Sequence, residues 1–370
     1  MKSKTMRAAL LGAAGIAMAS IAMPAAAEKI EGQYICVFQP SLVAKGNVKA
    51  EAGKSASQGQ GQLKHTYENT IRGFAMNASA QGIANMLARN PRIAYCEQDQ
   101  VMTTVQGKPG GGSSTPPPES TPWGVTRVGG GLTGSTRKAW VIDSGVDYTH
   151  PDLNVNTALS RTFISRTTTA DDDNGHGSHV AGTIGAIKGN GIGVVGVAPG
   201  VSIVAVKVLD RRGSGSNSGV IAGVDYAAAN FASGDVANMS LGGGFSQALN
   251  DAVIAAASRG LKFALAAGNE STSATTKSPA SANGPNIFTI SSFAQGDRWS
   301  SFSNYGNPPV DFAEPGSSIP STYKDGGYAT LSGTSMAAPH FAGLLLLGTP
   351  RSGGTVTGDP DGNPDTIGIN

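Results

Sequence analysis

Four short segments of this 370-residue chain carry side chains that could together open an acyl bond. Asp143 follows the apolar run Ala139-Trp140-Val141-Ile142 and precedes Ser144-Gly145. His176 stands between two glycines in Asn174-Gly175-His176-Gly177-Ser178-His179-Val180-Ala181-Gly182, and small neighbours allow a substrate backbone to come close. Asn269 ends Ala266-Ala267-Gly268-Asn269, and Ser335 follows Gly333-Thr334 at the start of an apolar helical stretch. Singly, each has an ordinary structural use. An Asp or Asn after a strand makes a turn, and a Ser at a helix start is an N-cap. As a set they supply an orienting carboxylate, a general base, a donor for an oxyanion and a nucleophile, the parts that hydrolysis through an acyl-enzyme requires. His179 and His340 sit within apolar helices and read as packing residues, and Asp171-Asp172-Asp173 reads as a solvated loop before a helix N-terminus, with no catalytic role.

Elements of a definite kind must hold these residues. Short, nearly continuous apolar runs at 139–142, 202–206, 236–239, 262–266 and 287–290 are strands apolar on both faces, which points to a parallel sheet covered on both sides. The intervening stretches His179 to Ala186, Gly219 to Phe231, Ser246 to Arg259 and Ser335 to Leu347 read as helices. The expected fold is a doubly wound α/β domain over 121–348, in which functional groups gather at the carboxyl ends of strands. Before it, residues 28–106 read β-α-β-β-α-β, the order of a small ferredoxin-like α+β domain. The helix expected first in that domain covers 41–56. Residues 107–120, with Gly110-Gly111-Gly112 and Pro116-Pro117-Pro118, read as an exposed linker open to cleavage, and 349–370 as a solvated polar tail.

Composition narrows the function. Lys2, Lys4 and Arg7, the apolar run to Met23 and Pro24-Ala25-Ala26-Ala27 give residues 1–27 the form of a signal peptide, so a secreted protein, extracellular or periplasmic, with no membrane attachment after its removal is expected. The formal charge of +2 and 14% charged residues leave no field suited to nucleic acid. Cys36 and Cys96 are the two cysteines. They read either as small buried hydrophobes or as one disulfide formed after export. In the β-α-β-β-α-β topology the first and last strands are neighbours, which brings the two cysteines near one another.

The motifs that carry the four segments resemble those of the subtilisin-like serine proteases. The matching blocks are Val141-Ile142-Asp143-Ser144-Gly145, His176-Gly177-Ser178-His179-Val180-Ala181-Gly182-Thr183, Ser240-Leu241-Gly242-Gly243, Ala267-Gly268-Asn269 and Gly333-Thr334-Ser335-Met336-Ala337-Ala338-Pro339-His340. Ser278-Pro279-Ala280-Ser281 and the segment 300–306 resemble the proteinase K branch most. The resemblance implies Asp143, His176 and Ser335 as catalytic residues, Asn269 in the oxyanion hole, and Ser240, Leu241, Gly242, Ala267 and Gly268 along the substrate. It implies protein and peptide substrates taken with broad specificity, an apolar residue preferred before the cut bond, and a monomer. It also implies that Pro285, Ile287 and Asp311 bind a structural calcium, with no metal in the reaction, although residues 282–284 look inserted beside the carbonyl pair. The first domain resembles a subtilisin-type propeptide, on Gly32-Gln33-Tyr34-Ile35, Arg72-Gly73-Phe74-Ala75 and Tyr95-Cys96-Glu97-Gln98-Asp99. That likeness implies a folding chaperone and inhibitor of the same chain, removed by self-cleavage between Met102 and Pro109. A non-catalytic member of such a family would lack Ser, His or Asp, and all three are present.

Overall fold

A computed structural model of the chain describes residues 28–104, 110–113 and 115–370. The expected signal peptide, 1–27, lies outside these, as does most of the expected self-cleavage window. The first domain runs β1 (Lys29–Phe38), α1 (Val48–Gln58), β2 (Gln62–Tyr67), β3 (Gly73–Asn77), α2 (Ala80–Arg89) and β4 (Ile93–Thr104). Its antiparallel strands lie in the order β4-β1-β3-β2. The first helix starts at Val48, seven residues later than its expected start at Ser41. Gly46 and Asn47 are weak helix formers, and Lys45–Asn47 makes a 3₁₀ turn instead. The second helix is capped by Ser79, whose hydroxyl accepts from Gly82 N at 3.1 Å. Cys36, Phe38, Val48, Phe74, Met76, Ile83 and Met86 form the core. Cys36 and Cys96 stand directly opposite on β1 and β4 and are joined in a disulfide, which settles the two readings of the cysteines.

The second domain continues with β5 (Gly110–Ser113), α3 (Trp123–Arg127), β6 (Lys138–Asp143), β7 (Arg161–Thr162), α4 (His176–Gly185), β8 (Ser202–Lys207), β9 (Ser214–Ser216), α5 (Asn217–Asn230), β10 (Val236–Met239), β11 (Leu241–Gly244) and α6 (Gln247–Ser258). It closes with β12 (Lys262–Ala266), β13 (Lys277–Ser278), β14 (Ile287–Ala294), β15 (Arg298–Trp299), β16 (Val310–Pro315), β17 (Ile319–Thr322), β18 (Tyr328–Leu331), α7 (Thr334–Leu347), β19 (Arg351–Thr355) and β20 (Thr366–Ile369). The main sheet has the order β19-β20-β16-β14-β12-β10-β6-β8-β7, parallel from β20 to β7. One core packs α5 and α6 on one face, through Val220, Val224, Leu249 and Val253 against Trp140, Val204 and Phe263. Another packs α4 and α7 on the other, through Val180, Ile184, Met336 and Leu345 against Val141, Ala205 and Ala264. Both faces are dry, so the strands read as continuous apolar runs. Among the described residues no helix is long and apolar enough to cross a membrane.

Two expectations about connecting segments need correction. The C-terminal residues are not a solvated tail: β20 lies parallel to β16, β19 pairs with β20, and Val356 and Ile367 are buried against Phe293 and Ala313. Asp365, in the turn-rich stretch Asp359 to Asp365, is 1% exposed and accepts hydrogen bonds from Ser291 Oγ and from Asn307 Nδ2. So few inward side chains leave a polar sequence looking solvated. Within the expected linker, Gly110–Ser113 pairs antiparallel with β18, because a strand edge takes any backbone regardless of side chain.

Candidate active site

β6 delivers Asp143 to the carboxyl end of the sheet, where its side chain is fully buried. Ser144 N donates to Asp143 Oδ1 at 2.7 Å. His176 opens α4 and is likewise buried, and its Nδ1 donates to the same oxygen at 2.7 Å. The flanking glycines have a reason the sequence reading did not supply. A Cβ on Gly177 would lie 1.9 Å from Gly145 O, and one on Gly175, at φ +109°, would strike the Tyr323 ring at 2.3 Å. They admit the protein's own backbone and ring, and so let the first turn of α4 close onto the end of β6.

Ser335 is the second residue of α7 and is buried. Its hydroxyl donates to Ser240 O at 3.0 Å, while Ser240 Oγ donates to Ser335 O at 2.8 Å and accepts from Asn238 Nδ2 at 2.8 Å. His176 Nε2 is buried and makes no hydrogen bond, so the Asp143–His176 pair is assembled while the Ser335 hydroxyl is turned to Ser240. Ser240, expected along the substrate, therefore directs its side chain at the Ser335 backbone. Asn269 Oδ1 accepts from both Thr334 N and Thr334 Oγ1 at 2.9 Å, which leaves its Nδ2 as the donating end. Thr334 Oγ1 also accepts from Gly268 N at 3.1 Å. Thr334, directly before Ser335, thus ties Gly268 and Asn269 to the start of α7, a part that the sequence alone did not single out. Its position between Gly333 and Ser335 was the available signal. Asp143, His176, Ser335 and Asn269 gather at one sheet end, and such a set can attack a carbonyl, move a proton and hold an oxyanion.

The groove beside these residues is filled by the chain's own first domain. β4 runs out of its sheet so that Thr103 and Thr104 pair antiparallel with Gly242 and Leu241, while Val101–Thr103 pair with β9. Thr104 N donates to Gly213 O at 2.9 Å. Met102 is fully buried among Leu209, Val220 and Leu241, so near Gly243 that a Cβ there would lie 2.6 Å from its sulfur. Carboxylates of the first domain cap two helices: Asp99 Oδ1 accepts from Ser218 N in α5 at 3.1 Å, and Glu97 from Ser246 Oγ and from Ala248 N in α6. Burial raises both carboxyls above their usual range, although the hydrogen bonds they accept work against that. In return Asp225 of α5 accepts from Asn69 N at 2.7 Å and Thr70 N at 2.8 Å. Ala267 is buried beside Gly268, whose φ of +108° and close approach to Asn304 Nδ2 exclude a larger residue.

Of the residues implied for calcium, Ile287 opens β14, Pro285 lies two residues before it, and Asp311 is on the neighbouring strand β16. Asp311 Oδ2 accepts from Thr289 N at 2.9 Å, and desolvation pushes its carboxyl up to about 6 with no basic side chain offsetting it. Among the described residues no cluster of three His, Cys, Asp or Glu could hold a metal, so an ion here would rest on one carboxylate, carbonyls and water. That donor set fits a hard cation.

The model of the subtilase family matches residues 138–350. An alkaline serine exoprotease A of Vibrio alginolyticus is 40% identical over 337 residues, covering 86% of this chain and 60% of that protein, so the chain spans about three fifths of that relative's length. Subtilisin E of Bacillus subtilis (strain 168) is 37% identical over 335 residues, covering 88% of this chain and 82% of the relative. Among solved structures, a cold adapted subtilisin-like serine proteinase superposes with a TM-score of 0.56 at 42% identity, over 62% of this chain and 87% of that one.

Proposed function

This chain belongs to the subtilase family, and we propose that it is a secreted serine endopeptidase made as a self-processing precursor. The observation that carries the reading is the buried Asp143–His176 pair at the same sheet end as Ser335 and Asn269. His176 Nε2 takes the proton as Ser335 Oγ attacks a peptide carbonyl and returns it to the leaving amine. Asp143 fixes the tautomer and offsets the charge of the imidazolium. Asn269 Nδ2 and the Ser335 N–H hold the oxyanion, and the start of α7 favours its charge. Attack requires the Ser335 hydroxyl to leave Ser240 O for His176 Nε2, a side-chain rotation.

Residues 28–106 act as propeptide and inhibitor. Their last strand lies where a substrate strand would, pairing through main-chain groups, which supports broad sequence tolerance. The buried Met102 supports an apolar residue upstream of the cut, and the uncharged wall of Ala267 and Gly268 an apolar one just before it. Self-cleavage falls C-terminal to Thr104. The processed enzyme acts as a monomer free of the membrane. A fluorophosphonate probe should label the processed chain on the peptide holding Ser335, and N-terminal sequencing should begin between residues 105 and 109. Absence of label from a chain that is folded and processed would sink the nucleophile assignment. A first domain still joined to Trp123 in secreted protein would sink the self-cleavage.

Pro285, Ile287 and Asp311 hold a calcium that ties the start of β14 to β16 and supplies no step of the reaction. A chelator should speed thermal inactivation of the wild type by about tenfold or more, through loss of the ion-bound native state, and should leave Asp311→Asn unaffected. Equal wild-type rates with and without chelator would count against the site.

A further inference from the structure

Asp172 lies four residues before His176, buried in a stretch whose composition promised a solvated loop. Its Oδ1 accepts from Ser144 Oγ at 2.9 Å, Asn174 N at 3.0 Å and Gly175 N at 2.9 Å. Its Oδ2 accepts from Ser178 N at 2.9 Å and Ser178 Oγ at 2.7 Å. These donors come from two separate pieces of the site. Ser144 follows Asp143 directly and donates its N–H to the Asp143 carboxylate, while Gly175 and Ser178 bracket His176 in the first turn of α4. The link is doubled, because Ser144 Oγ also accepts from Gly177 N at 2.9 Å. On its other side Ser144 is held through its carbonyl by Lys207 Nζ, a lysine only 1% exposed that stands opposite Asp143 in the sheet and also reaches Asp173 Oδ1 at 2.6 Å.

We propose that Asp172 is a positioning residue for peptide hydrolysis: one carboxylate that clamps the end of β6 to the start of α4 and so sets the geometry of Asp143 against His176. The proposal rests on the endopeptidase reading above. An ordinary helix cap would need the Gly175 and Ser178 donors alone. The bond from Ser144 is the part that capping does not require, and it reaches the strand that carries Asp143. Both oxygens accept, so an amide cannot replace the carboxylate: whichever way Asp172→Asn is turned, its NH₂ faces a group of donors. A buried network of this kind loses its geometry when one member is left unsatisfied, and a misplacement of about 1 Å at a reacting pair costs about 100-fold in rate.

The test compares wild type, Asp172→Asn, Ser144→Ala and the double variant on a peptide p-nitroanilide, with fold checked by thermal melting. Asp172→Asn should lower kcat by about 100-fold with KM within about twofold, since substrate pairs with β11 and not with this loop. Ser144→Ala should lower kcat by about tenfold, and the double variant should lose less than the product of the two single losses, because the Ser144–Asp172 bond is common to both. A folded Asp172→Asn with wild-type kcat overturns the proposal, and so do losses that multiply in the double variant. Should Asp172→Asn fail to fold, Ser144→Ala carries the decision, and unchanged kcat there overturns it too. Absent turnover in the wild type would instead sink the endopeptidase reading itself.

Discussion

Replacing Ser335 with alanine should leave the chain uncut at the Thr104–Pro109 segment and lower peptide turnover on the order of a millionfold, while the full-length chain stays folded. The chemical loss is large because the neighbouring hydroxyl at the start of α7, Thr334 Oγ1, is committed to Asn269 Oδ1 and Gly268 N, and His176 without a nucleophile has nothing to deprotonate but water. The structural loss is small. The hydroxyl makes one hydrogen bond, to Ser240 O at 3.0 Å, worth about 1 kcal/mol, and the helix start keeps its ties through Thr334 and Ser240 Oγ. Mass spectrometry of the secreted variant against wild type decides the matter. A variant processed at the wild-type site and rate, in a host lacking its own proteases, would mean that the cut is made by some other enzyme and that Ser335 is not the nucleophile of this step.

The reasons why some of this was legible and some was not are physical. Strands buried on both faces announce themselves, so 236–239 and 262–266 agree with β10 and β12 residue for residue. Helix starts read late where a glycine masks them. The helix expected from His179 begins at His176, because Gly175 and Gly177 make room for the Tyr323 ring and the Gly145 backbone and do not terminate the helix. β20 leaves little trace in the sequence because Ile367 is the side chain it buries in the core, directly after the polar stretch that ends at Asp365. The four chemical residues could be named from type and motif. What surrounds them could not, since Asp172 looks identical to its two exposed-looking neighbours until the fold supplies Ser144 and Ser178 as its donors. Hydrogen-bond partners far apart in sequence leave no periodicity to read.

The disulfide, by contrast, follows from register, and its removal is the other change with a large expected effect. Cys36 and Cys96 close a loop with a sequence separation of 60 residues, nearly the whole first domain. In the chain-entropy account such a loop contributes about 4 kcal/mol by restricting the unfolded chain. A domain of this size has few other reserves, since its core amounts to one small cluster under a four-stranded sheet. The bond also lies where it bears on the proposed inhibition: Cys96 is flanked on β4 by Tyr95, which donates to Asp251 Oδ2 at 2.7 Å, and by Glu97, which caps α6. Six residues further along the same strand Met102 is buried in the groove. The disulfide therefore anchors to β1 the strand that blocks the site. In the uncut Ser335→Ala precursor, replacing both cysteines with serine should lower first-domain stability by about 4 kcal/mol, read as roughly a thousandfold faster amide exchange in β1 and β4 where exchange follows opening of that domain. Exchange in β6 and β10 should not change. In the active chain the same replacement, or reduction of the bond, should shorten the lag before activity appears, because a cut-off domain that unfolds readily releases the cleft and is itself degraded. Unaltered exchange in β1 and β4 together with an unaltered lag would show that packing against α5 and α6 alone holds the inhibitor in place, with the disulfide incidental to it.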